Sequence, residues 1–76
     1  MTKTEIISLI ENLGFFLQKT EESENGSIYH HFKNADDYNV WVGSTFLETE
    51  LCPFALDYKR AEKDTIIKFI ETGGIT

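Results

Sequence analysis

The stretch Phe15-Phe16-Leu17-Gln18-Lys19-Thr20-Glu21-Glu22-Ser23-Glu24-Asn25-Gly26-Ser27-Ile28-Tyr29-His30-His31-Phe32-Lys33-Asn34 decides the fold. Two strand-like runs, 15–22 and 27–34, flank Ser23-Glu24-Asn25-Gly26, and Asn-Gly is the preferred centre of a two-residue hairpin turn. With residues 25 and 26 as that centre, Lys19 pairs with Phe32 and Glu21 with His30. Phe15 and Leu17 then share a face with Ile28, His30 and Phe32, so the apolar sets of both strands coincide. Successive strand side chains point to opposite faces, so His30 and His31 cannot form one site. His30 belongs on the core side, where a hydrogen bond to Glu21 or to a backbone carbonyl is expected. His31 stands on the far face with Tyr29 and Lys33.

Upstream, Thr2-Lys3-Thr4-Glu5 fits a capping box. Ile6, Leu9, Ile10 and Leu13 follow at helical spacing, and Gly14 suits a left-handed stop. The spacing predicts a helix over 3–13. Downstream, Asn34-Ala35-Asp36-Asp37-Tyr38 reads as a second turn leading into a third strand over 39–46. A five-residue loop pairs Phe32 with Val40 and His30 with Val42, leaving Trp41 on the opposite face. A one-residue slip would bring Trp41 into the core instead. The first register is preferred because two β-branched residues then share the inner face. Residues 47–59 lack a clean period and read as a long loop with a short edge strand near 54–58. Residues 60–72 form the second helix, with Ile66, Phe69 and Ile70 as its apolar face and Gly73-Gly74 as its stop. The expected fold is a single α+β domain over residues 1–76, ordered α-β-β-β-α. Its three-stranded antiparallel sheet carries both helices on one face.

At 76 residues the chain is near the lower limit for a core without metal or disulfides. Six Phe, three Tyr and one Trp supply large buried areas per residue. The net charge of −6 argues against a broad nucleic-acid surface and suits either plain solubility or a basic partner. The single cysteine, Cys52, cannot close an internal disulfide, and beside Pro53 in an apolar stretch it reads as a buried, inert thiol. No signal-peptide pattern and no bilayer-length apolar run are present, so a cytoplasmic protein with no membrane partner is expected. No metal or other cofactor is expected either. There is no His/Cys/Asp cluster at ligand spacing, no phosphate loop, no dinucleotide-binding glycine pattern and no nucleophile elbow.

The open sheet face carries Phe16, Gln18 and Thr20 from the first strand, Tyr29, His31 and Lys33 from the second, and Trp41 and Thr45 from the third. Three large aromatics on a solvent face point to contact with something. Three occupants compete. Residues 46–58, with Phe46, Leu47, Leu51, Phe54 and Leu56, fold back over it, or a second copy does the same. A foreign protein anchors on Trp41 and Tyr29, residue types enriched at binding hot spots. Nucleic acid stacks its bases on the rings, with His31 and Lys33 at phosphate, which the acidic charge disfavours. The expected binding set is Phe16, Tyr29, His31, Lys33 and Trp41, and it serves a protein partner or a homodimer without catalysis.

Three segments resemble the HicA family of toxin–antitoxin systems. They are the opening helix running into Gly14-Phe15, the run His30-His31-Phe32-Lys33-Asn34-Ala35-Asp36 with Val40 and Val42 following, and the close Lys63-Asp64-Thr65-Ile66 through Ile70-Glu71-Thr72-Gly73-Gly74-Ile75. Together they span about half the chain. The resemblance implies a fold similar to double-stranded-RNA-binding domains. It also implies a messenger-RNA-cleaving activity restrained by a partner antitoxin. The family's catalytic histidine directly follows a Gly-Ser pair, whereas here Gly26-Ser27 is followed by Ile28, and counting back from Phe32 puts Tyr29 at that position. His31, two residues along on the same face, is the candidate general base under this alternative.

Overall fold

Thr2 starts the first helix, α1 (Lys3–Asn12), through the expected capping box. Its Oγ1 accepts from Glu5 N at 3.2 Å, and Glu5 Oε1 accepts from Thr2 N at 2.9 Å. At the other end Gly14 takes a left-handed φ of +95°. Gly14 N donates to Glu11 O at 3.0 Å and Phe15 N to Ile10 O at 3.2 Å, which closes the helix in a Schellman motif. That turn delivers Phe15 into the core. The computed structural model describes residues 1–51 and 54–72. Cys52, Pro53 and the Gly73-Gly74-Ile75 segment lie outside the described residues.

Among the described residues the sheet has five antiparallel strands in chain order, where three were expected: β1 (Phe16–Glu22), β2 (Ile28–Lys33), β3 (Asn39–Val42), β4 (Phe46–Thr49) and β5 (Leu56–Asp57). The expected third strand over 39–46 breaks at Gly43, whose N donates to Phe46 O at 2.8 Å around the tip Ser44-Thr45. Thr45 therefore leaves the open face. The chain instead returns as β4, pairing Trp41 with Glu48 and Val42 with Leu47. The short edge strand expected near 54–58 is β5, which pairs Leu47 with Leu56. The second helix, α2 (Lys63–Thr72), begins three residues later than expected. Asp57 O instead accepts from Arg60 N and Ala61 N and holds residues 57–61 in a turn.

The β2–β3 register matches expectation, with His30 opposite Val42 and Phe32 opposite Val40. The Asn34 side chain sets it by accepting from Asp36 N and Tyr38 N, each at 3.0 Å, while Asp37 takes a φ of +61°. The β1–β2 register does not match. Ser23 N donates to Ser27 O at 2.8 Å and Gly26 N to Ser23 O at 3.0 Å, with Gly26 at φ +85°. This is a three-residue loop, a turn followed by a left-handed glycine, and it slips the register by one. Thr20, not Glu21, lies opposite His30, and Glu21 lies opposite Tyr29. A bulge at Gln18 then displaces the pairing by one residue more, so that Leu17 meets Phe32 and the inner half of β1 regains its expected facing.

The consequence for His30 is a different partner from the one expected. Its Nδ1 lies 3.0 Å from Thr20 Oγ1. Burial holds the imidazole below its ordinary value, and the Lys3 ammonium of α1 pushes in the same direction.

One apolar cluster joins the two helices to a single sheet face. Ile6, Leu9 and Ile10 of α1 and Ile66 and Ile70 of α2 pack with Phe32, Val40, Val42 and Leu47. Each such side chain contributes roughly 1.5–3 kcal/mol on burial. Tyr58, fully buried, places its hydroxyl 2.8 Å from both Gly43 O and Ser44 O and so fastens the β3–β4 tip to the turn before α2. By contrast β1 is exposed along its whole length. Among the described residues, no helix is long and apolar enough to cross a membrane.

Tyr58→Phe is expected to lower stability by about 1–2 kcal/mol in urea unfolding, because two carbonyls lose their buried donor. The depressed His30 value has a defined sign. The unfolded chain binds the proton more readily than the folded one, so the contribution is complete above about pH 6.5 and is lost as pH falls below it. The thermal midpoint should therefore drop between about pH 7.5 and 5.5, and His30→Gln should flatten that drop.

Candidate functional site

Strand alternation and the observed pairings lay out the face turned away from the helices as rows across the sheet. One row runs Lys19, His31, Trp41, Glu48. A second runs Phe16, Lys33, Asn39, with Glu50 just past β4. A third joins Glu21, Tyr29 and Phe46. Of the expected binding set, Phe16, Tyr29, His31, Lys33 and Trp41 all lie on this face. Of the other β1 residues expected there, Thr20 is on the helix side and Gln18 forms the bulge. Lys19 and Glu21 take their place, because the loop slip reverses the facing of the outer half of β1 and the bulge restores it only from Leu17 inward.

The aromatic residues are held by one another. His31 stacks on Trp41 with ring centroids 5.5 Å apart and planes 13° from parallel. Tyr29 meets Phe46 edge-on at 5.5 Å. The Phe46 ring lies directly over Gly43, where a Cβ would collide with its edge, so only glycine fits beneath it. Apart from Phe16, which is 65% exposed, these residues are half-buried.

Polar contacts fix His31 further. Asn39 Nδ2 donates to Glu50 Oε1 at 3.3 Å, and Asn39 N donates to the same oxygen at 2.7 Å. That orients the Asn39 amide so that its Oδ1 accepts from His31 Nε2 at 2.7 Å. With Nε2 carrying the proton, Nδ1 is left as the acceptor, and it is buried without a hydrogen-bond partner among the described residues. One nitrogen of the ring is committed and the other is shielded, so neither is presented to a substrate hydroxyl.

The charges on the face are also largely engaged. Lys33 pairs with Asp37 at 3.0 Å and Lys19 with Glu21 at 2.5 Å. The Lys19 ammonium, through its hydrogen bond and its charge, holds the Glu21 carboxyl below the usual range. Glu48, beside Trp41, forms no ion pair among the described residues. The side of the face around Trp41 is therefore acidic. No group of three metal-ligating residues occurs among the described residues.

Sequence reasoning missed Asn39, Glu48, Glu50 and the role of Phe46. The signal for Phe46 was present in Gly43-Ser44-Thr45, a turn-rich triplet between two apolar pairs. The residues at 48 and 50 become neighbours of Trp41 and Asn39 only once that turn is recognised.

Gly43→Ala should destabilise the protein by roughly 1–3 kcal/mol, since the Phe46 ring has to leave its position. Near-ultraviolet circular dichroism should report the lost Tyr29–Phe46 packing. Phe46→Ala in the same background should recover much of the loss.

No family model, curated protein or solved structure matches this chain.

Proposed function

We propose that this protein is a small binding module that works without catalysis, docking a protein partner on the open face of its sheet. The observation that carries this reading is the His31–Trp41 stack. Both rings are held in place before any partner arrives, on a face the helices leave alone. Rings fixed in advance lose little freedom on binding, and Trp and Tyr are residue types that dominate interface energetics. Tyr29, Phe46 and Phe16 extend the contact surface on either side. The acidic flank at Glu48 and Glu50 favours a partner with Lys or Arg at the point of contact. The module is proposed to act in the cytosol.

The same charges weigh against nucleic acid. Both lysines of the face already have carboxylate partners, and the carboxylates beside Trp41 would meet phosphate unfavourably. The alternative, a HicA-like messenger-RNA-cleaving toxin or an RNA-binding relative, draws its support from His31 and Lys33 standing together on one face of β2.

Partner recovery from the source cell, followed by titration calorimetry, tests the proposal. Trp41→Ala should weaken binding by at least about 2 kcal/mol while costing about 1 kcal/mol or less in stability. Equal losses would show that the ring serves the fold. Growth arrest on induced expression that His31→Ala abolishes would replace this reading with the toxin.

A further inference from the structure

Among the described residues the outer edge of β1 has no neighbour in the sheet, and exposed apolar side chains lie along it. Phe16 is 65%, Leu17 52% and, on the adjoining strand, Ile28 43% exposed. An edge of this kind is a template for another strand unless charge or a bulge forbids it. The main-chain polarity of the edge follows from the hairpin. Ser23 N donates to Ser27 O, making residues 23 and 27 a hydrogen-bonded pair. Such pairs alternate along an antiparallel ladder. Glu21 and Lys19 therefore turn their backbone groups inward to Tyr29 and His31, while Thr20 and Glu22 turn theirs outward.

An antiparallel two-fold pairing of this edge with itself has to place outward residues opposite outward residues. Thr20 opposite the Thr20 of a second copy satisfies this. In that register Lys19 of each copy faces Glu21 of the other, on the same side of the joined sheet. Sliding one ladder step in either direction puts Lys19 opposite Lys19, or Glu21 opposite Glu21. Charge thus selects a single register. We propose that the protein self-associates through β1, with Thr20 on the two-fold axis and Lys19–Glu21 pairs on either side of it, joining two five-stranded sheets into one. Phe16 and Leu17 then lie against the hairpin turn of the second copy. The bulge at Gln18 bounds the regular ladder, so the association is short, weak and reversible. It leaves the Trp41 face open and does not depend on the proposed docking function.

Sedimentation equilibrium at concentrations up to about 1 mM, a range that reads weak association, tests this. The wild-type protein should form dimers. Lys19→Glu alone and Glu21→Lys alone should each lower the association constant about tenfold or more, because each puts like charges opposite one another at both pairs. An equimolar mixture of the two variants should associate again, since every facing pair is then opposite in sign. Far-ultraviolet circular dichroism confirms that both variants remain folded. A monomeric wild type at the highest concentration overturns the proposal. So does a dimer indifferent to both charge reversals, a mixture that fails to re-associate, or a dimer that Trp41→Ala abolishes.

Discussion

Phe32, Val40, Val42 and Leu47 have to face α1 and α2, and the rest of the molecule is arranged around that requirement. Among the described residues these four are the buried apolar side chains of the strands, and with the helices they close the core of a short chain. Once those four point inward, strand alternation sends Tyr29, His31, Trp41 and Glu48 outward. The candidate surface is in this sense the obverse of the core. A substitution that shifted one register by a residue would exchange them wholesale, which is why each turn is so heavily specified. Asn34 accepts two backbone hydrogen bonds at one turn, and the Tyr58 hydroxyl lies against two carbonyls at the next.

Local chemistry decided what could be read in the sequence. The capping box of α1, the Gly14 stop and the β2–β3 register were legible because each depends on residues within a few positions of one another. The first hairpin was misread because Asn25-Gly26 serves two loop types. In a two-residue turn both residues take left-handed angles. In the three-residue loop observed here, only Gly26 of the two does. The bulge at Gln18 has no sequence signature of its own. It adds a second one-residue shift to the one introduced by the loop, and two shifts restore the facing, so that Phe15 and Leu17 end up on the expected side while Lys19 and Glu21 do not. The fourth and fifth strands were hidden by their shortness and by a tip whose cue, Gly43-Ser44-Thr45, was absorbed into a longer strand.

His31 shows how a residue can be placed correctly while its role stays undetermined by sequence. Its face and its neighbours Tyr29 and Lys33 followed from alternation. Its hydrogen bond to Asn39, and Asn39's own anchorage on Glu50, depend on β4 returning beside β3. A histidine with a ring nitrogen open to a substrate suits acid–base chemistry, whereas one held between an amide and an indole suits shape. That difference arises from residues 8 and 19 positions away, beyond the reach of local pattern.

The unequal burial of the strands has a last consequence. β1 shares its backbone bonds with β2 but places almost no side chain in the core, so its attachment rests mainly on hydrogen bonds and the hairpin loop. β2 to β5, clamped by the helices, hold the buried side chains of the sheet, and a strand as exposed as β1 is expected at the low-energy end of the opening spectrum. The module thus carries a peripheral ribbon whose engagement is set by whatever lies along its free edge, with no change required in the structure behind it.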